Sequence, residues 1–135
     1  MQNNLNTFLK QFYITNKNIS KELNSFFHTF NITLQNYLVL SCLSKSKPLY
    51  LKEICDSLSL DTGTMTPATR LLEKKGIITR ERSKLDERKV LICLTEKGKQ
   101  LQDDINHSMN NLTQTINTPE LNDYIKVLMK IINHN

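Results

Sequence analysis

Residues 62–74 combine short hydroxyl side chains with basic ones at spacings that suit contact with duplex DNA. An α-helix fits the major groove, where hydroxyl groups can hydrogen bond to phosphates or base edges and a methionine can contact a thymine methyl group. Leu71 and Leu72 are expected to pack inward. An ordinary helix with a solvated polar face is the alternative. The candidate contact residues are Thr62, Thr64, Met65, Thr66, Thr69, Arg70 and Lys74.

A second basic cluster follows directly, in a segment whose pattern predicts a β-hairpin with a polar tip. An arginine at such a tip can enter the narrow minor groove of DNA, where the negative potential is enhanced. Asp86 lies two residues before Arg88 and could brace its guanidinium group. A solvated edge strand, kept soluble by its charges, is the alternative. The candidate residues are Arg80, Arg82, Ser83, Lys84, Asp86, Arg88 and Lys89.

The placement of charge supports contact with a polyanion. Residues 45–99 contain 13 Lys and Arg against 8 Asp and Glu, and this window holds the whole net charge of +5. The two flanks are neutral overall and apolar-striped, which is typical of packing elements.

Enzymatic chemistry finds little support in this sequence. His28, His107 and His134 are isolated and have no metal-ligand spacing. The three glycines form no phosphate-binding loop. The sequence therefore predicts neither an enzyme, nor a cofactor, nor a metal site.

Three cysteines lie far apart, at Cys42, Cys55 and Cys93. Such an odd, scattered set is neither a disulfide framework nor a metal site. We expect three small buried apolar residues. The alternative is a redox-sensing thiol, for which Cys55 is the first candidate.

The elements that position these residues are mostly helical. Apolar spacing predicts a long helix over about residues 3–29, a second helix capped by Thr33, and an amphipathic helix over Leu51–Leu58. After a turn at Ser59–Gly63, the candidate contact helix ends before Gly76. The sequence leaves two possible starts for this helix, because Asp61 could be its N-cap whereas Pro67 favours a place in the first helical turn.

Beyond Gly76 the period changes to that of strands, over 77–82 and 89–94. Thr95 could cap a long helix with an apolar stripe from Leu101 to Ile116. Thr118-Pro119-Glu120 predicts the start of a last helix.

Together these elements predict a mainly α fold with a small β-hairpin. No apolar run approaches the length of a membrane span, and the first residues lack the pattern of a signal peptide. We therefore expect one domain in the cytoplasm, with no membrane partner.

Four motifs in this order resemble the MarR family of bacterial regulators. They are Leu60-Asp61-Thr62-Gly63-Thr64-Met65-Thr66-Pro67, Leu72-Glu73-Lys74-Lys75-Gly76-Ile77-Ile78, the segment Arg80 to Arg88, and Leu94-Thr95-Glu96-Lys97-Gly98. The match is dense over residues 33–100. It is nearest to the organic-hydroperoxide-regulator branch and its staphylococcal global-regulator relatives.

This resemblance implies a winged helix-turn-helix core over 33–100, within a single domain over 1–135. Segments 1–30 and 101–135 would be dimerisation helices that interleave with a partner in a triangular homodimer. By matched position, the recognition helix contains Thr62, Thr64, Thr66, Pro67 and Arg70, and the hairpin is the wing, with Asp86 and Arg88.

The sequence also departs from the family pattern. Thr69 and Leu71 occupy positions where basic residues are often found, so the base preference is expected to differ. Tyr13 matches a tyrosine of the hydroperoxide branch. The reactive cysteine of that branch is replaced by Leu9, and its two further tyrosines by Leu23 and Leu34. We infer that the peroxide switch of that branch is absent.

The predicted function is that of a transcription regulator, most simply a repressor, which binds a pseudo-palindromic operator as a homodimer. Recognition helices would be about 34 Å apart. The resemblance implies that a small-molecule or oxidative signal modulates binding. A ligand in a pocket between the dimer arms and the DNA-binding lobes would change the distance between the recognition helices. The alternatives are a thiol-based regulator that uses Cys55, Cys42 or Cys93, and a winged helix that docks a protein partner.

Overall fold

The computed structural model describes residues 2–113 and 118–133, and these form two compact units that divide after Gln102. The predicted fold class is confirmed, with six helices and a three-stranded antiparallel sheet in the described residues. The elements are α1 (Gln2–His28), α2 (Leu34–Cys42), β1 (Leu49–Tyr50), α3 (Leu51–Leu58), α4 (Thr62–Lys74), β2 (Ile78–Arg82), β3 (Val90–Leu94), α5 (Glu96–Thr113) and α6 (Thr118–Asn133).

The core of the first unit is apolar and closely packed. Helices α2, α3 and α4 contact one another in pairs, and α4 and α3 also contact the sheet. Phe27, near the end of α1, stacks on Tyr37 of α2 with ring centroids 4.5 Å apart. Fully buried residues include Val39, Leu40, Ile54, Met65, Leu72 and Ile92. This burial fixes which face of each element remains for contact with a partner.

Helix starts and ends follow the sequence signals closely. The Thr33 hydroxyl accepts a hydrogen bond from the Asn36 backbone N–H, and the Asn36 side chain accepts one from that of Thr33, both at 3.1 Å. After α4, Gly76 takes the left-handed conformation with φ of 73°. Its N–H donates to Glu73 O while the N–H of Ile77 donates to Leu72 O, which satisfies two carbonyls left open by the helix end. The predicted cap at Thr33 and helix end before Gly76 are confirmed.

The start of α4 resolves the ambiguity between Asp61 and Pro67. Asp61 is the N-cap, and its carboxylate accepts a hydrogen bond of 2.6 Å from the backbone N–H of Thr64. Pro67 lies inside the helix, where it cannot donate to the carbonyl of Gly63. The expected turn over Ser59–Gly63 is therefore shorter, since residues 62 and 63 are already helical.

The sheet has the order β1-β3-β2. Strands β2 and β3 agree with the prediction to within one residue, and Arg80 lies opposite Ile92 and Arg82 opposite Val90. Strand β1 was not predicted, because two residues after Pro48 have no readable period. It pairs Leu49 with Ile92 and Tyr50 with Leu91, which ties the start of α3 to the base of the hairpin.

The long helices begin where the sequence predicts. Thr95 caps α5, since its hydroxyl accepts a hydrogen bond of 3.1 Å from the backbone N–H of Gly98. Helix α1 agrees with the predicted range to within one residue, and α6 already includes Thr118. Ile116, assigned to the α5 stripe, lies outside the described residues. In the part of the chain that the structure describes, no helix has both the length and the apolarity that a bilayer crossing requires.

Candidate nucleic-acid interface

Helix α4 presents most of the predicted contact residues to solvent. Thr62, Thr64, Pro67, Arg70 and Lys74 are exposed, and Thr66 is half-buried with its hydroxyl donating to the carbonyl of Thr62. The exposed threonines lie at the N-terminal end of the helix, which is the end that a helix-turn-helix offers to base edges. Arg70 and Lys74 continue the exposed face towards the C-terminus.

Two members of the predicted set lie on the opposite side of α4. Met65 and Thr69 are fully buried, so the prediction that they reach DNA is wrong. The Thr69 hydroxyl donates to the backbone carbonyl of Thr66 at 3.1 Å. Both residues belong with Ala68 and Leu72 to the stripe at positions i, i+3, i+4 and i+7 that packs into the core.

Leu71 also differs from the prediction. It was expected to pack inward with Leu72, but 40% of Leu71 is exposed while Leu72 is fully buried. An apolar side chain therefore lies on the outer surface of α4, directly after Arg70.

The tip of the hairpin is closed by its own hydrogen bonds. The N–H of Ser83 donates to Lys89 O at 2.8 Å, and that of Lys89 donates to Asp86 O at 3.0 Å. The guanidinium of Arg82 donates to Glu87 O at 2.9 Å. These bonds give the wing a defined shape, although most of its side chains are exposed.

Asp86 acts on Arg88 differently from the prediction. Its carboxylate accepts a hydrogen bond of 3.0 Å from the backbone N–H of Arg88, not from the guanidinium group. The expected guanidinium brace is thus corrected to a main-chain contact. Arg88 is exposed, so its charged group remains directed at solvent.

Helix α4 and the wing share one surface. A cleft of about 580 Å³ is lined by Thr62 at the start of α4 and by Asp86, Arg88 and Lys89 of the wing. Tyr50 and Lys52 also line this cleft. Sequence reasoning missed these two residues, because only the unpredicted strand β1 brings them to the wing. The Lys89 ammonium lies 5.4 Å from the centre of the Tyr50 ring.

A smaller cavity, of about 140 Å³, joins the far end of α4 to the base of the wing. It is lined by Arg70, Glu73, Arg80 and Arg82. Arg80 is half-buried, and its backbone N–H donates to the Glu73 carboxylate at 3.2 Å. Within the described residues, the Arg80 Nε is buried with no hydrogen-bond partner. Arg80 thus lies deeper than the other basic residues of the wing.

Some basic residues of the middle segment serve the fold. The Lys97 ammonium donates to Lys75 O at 2.8 Å, and the Lys75 ammonium donates to Asn31 O. These contacts place positive charge at helix C-termini, where it is favourable. These two ammonium groups are thus engaged by backbone carbonyls, whereas Arg70, Lys74, Lys84 and Arg88 lie exposed on α4 and the wing.

The surroundings of Cys55 and Cys42 disfavour the thiolate form. Cys55 is buried, and its pKa is raised by that burial and by the nearby carboxylates of Asp56 and Asp61. Burial likewise raises the pKa of Cys42. A raised pKa lowers the thiolate fraction that reacts with oxidants. The expectation of buried apolar residues holds for Cys55, whereas Cys42 and Cys93 are half-buried.

Metal binding has no support in the described part of the chain, where no three histidine, cysteine or acidic side chains are grouped to hold an ion. The exposed hydroxyl and basic groups of α4 and the wing suit phosphate and base contacts.

Comparisons with known proteins identify relatives that are DNA-binding regulators. The family model "Transcriptional regulator SarA/Rot" matches residues 21–105. The regulator SarZ of Staphylococcus saprophyticus is 37% identical over 105 residues, which cover 78% of this chain and 69% of SarZ. SarZ of Staphylococcus epidermidis is 36% identical over 103 residues, covering 74% and 70%.

Solved structures agree over nearly the whole chain. Reduced AbfR bound to DNA superposes with a TM-score of 0.79 at 28% identity, covering 99% of this chain and 98% of AbfR. AbsC, a MarR family transcriptional regulator from Streptomyces coelicolor, gives a TM-score of 0.80 at 17% identity, covering 96% and 92%. These relatives are regulators and not enzymes, as the sequence predicted.

Proposed function

The chain belongs to the SarA/Rot family of transcriptional regulators, and on that premise we propose that it binds a pseudo-palindromic operator as a homodimer and represses transcription. The fold is the MarR-like winged helix, and duplex DNA is the partner of solved relatives such as AbfR. Each subunit would place α4 in a major groove and its wing in the neighbouring minor groove. Such a regulator acts in the cytoplasm.

The observation that best supports DNA binding is the shared surface of α4 and the wing. Thr62, Asp86 and Arg88 line one cleft although 24 residues separate Thr62 from Asp86 in sequence. A duplex lying against this face would meet hydroxyl donors from α4 and cations from the wing together. Phosphate contacts would supply much of the affinity and make it depend steeply on salt.

A second copy of this chain is the proposed occupant of the exposed apolar residues on the arms. Helix α1 exposes Leu5, Leu9, Tyr13, Ile14, Ile19 and Leu23. Helix α6 independently exposes Tyr124, Ile125, Val127, Met129 and Ile131. Runs of large exposed apolar side chains of this kind mark protein interfaces. Homodimerisation covers them and supplies the twofold symmetry that a pseudo-palindrome requires.

Repression by occlusion is the simplest mode of action, because it requires only that the dimer occupy a promoter. We propose that a small molecule modulates this binding by changing the separation of the two recognition helices. An oxidative signal through Cys55 is disfavoured by its burial and raised pKa.

Binding to short duplexes at two salt concentrations tests the proposed surface. Thr64→Ala and Arg70→Ala should weaken binding to the preferred duplex more than to a scrambled one, because both change the face proposed to meet base edges. The matched control is Lys99→Ala, whose ammonium pairs with Glu96 at 3.0 Å. Unchanged affinity in both α4 variants would contradict the proposed surface.

A further inference from the structure

One apolar side chain lies at the tip of the basic wing with nothing to pack against. Leu85 is 98% exposed. Among the described residues outside α1 and α6, Leu71 is the only other large apolar residue that is exposed to solvent, at 40%. A scattered, partly exposed leucine is ordinary, but nearly complete exposure at the tip of the wing is not explained by the fold.

The backbone holds Leu85 in this position. Its N–H donates to the Ser83 hydroxyl at 3.2 Å, and the next residue, Asp86, accepts from the Arg88 N–H through its side chain and from the Lys89 N–H through its carbonyl, both at 3.0 Å. The tip is therefore shaped by its own polar groups, and none of them requires an apolar side chain at position 85. The leucine is presented outward by a turn that would form equally well without it.

The flanking charges define what this side chain would meet. Lys84 and Arg88 flank it in sequence and are both exposed, so a wing that approaches DNA brings cations and one apolar group to the duplex together. The minor groove is bordered by two phosphate rows and walled by deoxyribose sugars, and some DNA-binding proteins insert apolar side chains such as leucine from this groove.

We propose that Leu85 is a specificity-determining residue that contacts the floor of the minor groove and favours A·T over G·C pairs beneath the wing. The floor of a G·C pair carries the 2-amino group of guanine, which an A·T pair lacks. An apolar side chain gives that amino group no acceptor and takes it out of water, which costs free energy. Over A·T pairs the same side chain meets no unpaired donor. This inference rests on the proposed function.

The test uses the full-length protein and three duplexes that differ at the base pairs beneath the wing. The parent duplex comes from selection on a random library, and the wing-facing pairs lie about five base pairs, half a helical turn, outside the recognition-helix contacts. These pairs are set to A·T, to G·C or to inosine·C. Inosine·C keeps the major-groove pattern of G·C but lacks the 2-amino group, so it isolates the minor-groove effect.

Wild-type protein should bind the A·T and inosine·C duplexes alike and the G·C duplex about fivefold more weakly. Leu85→Ala should reduce this difference to about twofold or less, and Leu85→Asn, which keeps the length and branching of the side chain but makes it polar, should do the same. Leu85→Met should retain it. Thermal unfolding should be unchanged in all three variants, because the side chain packs against nothing.

The discrimination surviving in Leu85→Ala would overturn the inference, as would equal binding of all three duplexes by the wild type. Either result would leave DNA binding itself intact. Failure of the wild type to bind any duplex would instead refute the proposed function, so the two failures are distinguishable.

Discussion

The middle of the chain, from α3 to β3, differs from the helices α1 and α6 in how far its apolar residues are buried. From α3 to β3, apolar side chains such as Ile54, Leu72 and Ile92 are fully buried, and Leu71 and Leu85 are the only large apolar residues that are exposed. On α1 and α6, large apolar side chains are exposed in numbers. The middle segment therefore buries its own apolar core and has a mostly polar surface. Helices α1 and α6 have apolar surface that a single chain leaves uncovered, so we expect folding of the middle and assembly through these helices to be separable.

The largest effect should come from truncating the core of the middle segment. Leu72→Ala should lower the free energy of unfolding by about 2–5 kcal/mol, because it leaves a cavity among fully buried side chains. Its neighbour Leu71, 40% exposed, is the matched control, and Leu71→Ala should cost about 0.5 kcal/mol or less. Denaturant unfolding measures both. Equal losses in the two variants would show that the face assigned to the core is wrong.

A charge introduced on helix α1 should weaken homodimerisation and leave the fold of the middle segment unchanged. Leu9→Lys should raise the dimer dissociation constant by about a hundredfold or more, because two unpaired charges would enter an apolar interface. Gln11→Lys adds the same charge at an exposed polar position and should have little effect. Sedimentation velocity over a range of concentrations measures the change. A Leu9→Lys protein that associates as the wild type does would remove this part of α1 from the interface.

Within the middle segment, basic residues directed at solvent should contribute more to DNA affinity than basic residues that bind backbone carbonyls. Arg88→Ala should weaken DNA binding by about tenfold and flatten its dependence on salt, since a cation in contact with the duplex is lost. Lys97, whose ammonium donates to Lys75 O, should leave DNA affinity unchanged when replaced by alanine. Fluorescence anisotropy at several salt concentrations tests the pair. If Lys97→Ala weakens DNA binding as much as Arg88→Ala does, the proposed distinction between cations that contact DNA and cations that bind backbone carbonyls is wrong.

The smallest effect is expected at Asp61, the N-cap of α4. The hydrogen bonds with Thr64 hold the pKa of Asp61 below its usual value. Asp61 thus contributes stability that is present above the pKa of the unfolded chain, about 3.9, and is lost as the pH falls through the lower pKa of the folded protein.

Asp61→Asn retains a capping group but cannot titrate, so it should remove this part of the acid dependence while keeping most of the stability at neutral pH. Thermal melts between pH 3 and 7 measure the difference from the wild type. Identical pH profiles would contradict the assigned cap.

The sequence predicted those features that depend on local patterns. Leu51–Leu58 was predicted with its observed bounds because its apolar residues follow one helical face, and Thr33 and Gly76 carry capping signals that their neighbours satisfy. The face of α4 was harder to assign, since Asp61 and Pro67 indicated different starts. Met65 and Thr69 were placed on the wrong side for a different reason: they were chosen by residue type, although their spacing to Ala68 and Leu72 already puts both on the buried face.

Features that depend on distant contacts could not be predicted from the sequence. Strand β1 exists because it pairs with β3, some 40 residues later, and it brings Tyr50 to the wing. Spacing alone also could not distinguish a guanidinium brace from the observed bond between Asp86 and the backbone of Arg88. The site residues on exposed helical and hairpin positions were found by residue type. The cleft that some of them share could be identified only from the folded structure.

Selection of bound duplexes from a random library tests the central claim most directly, since it reports binding, symmetry and spacing together. The account predicts enriched sequences with two inverted half-sites whose centres lie about 10 base pairs, or 34 Å, apart. Enrichment of a single unpaired site, or no enrichment over the starting library, would contradict a twofold regulator that reads DNA through α4 and its wing.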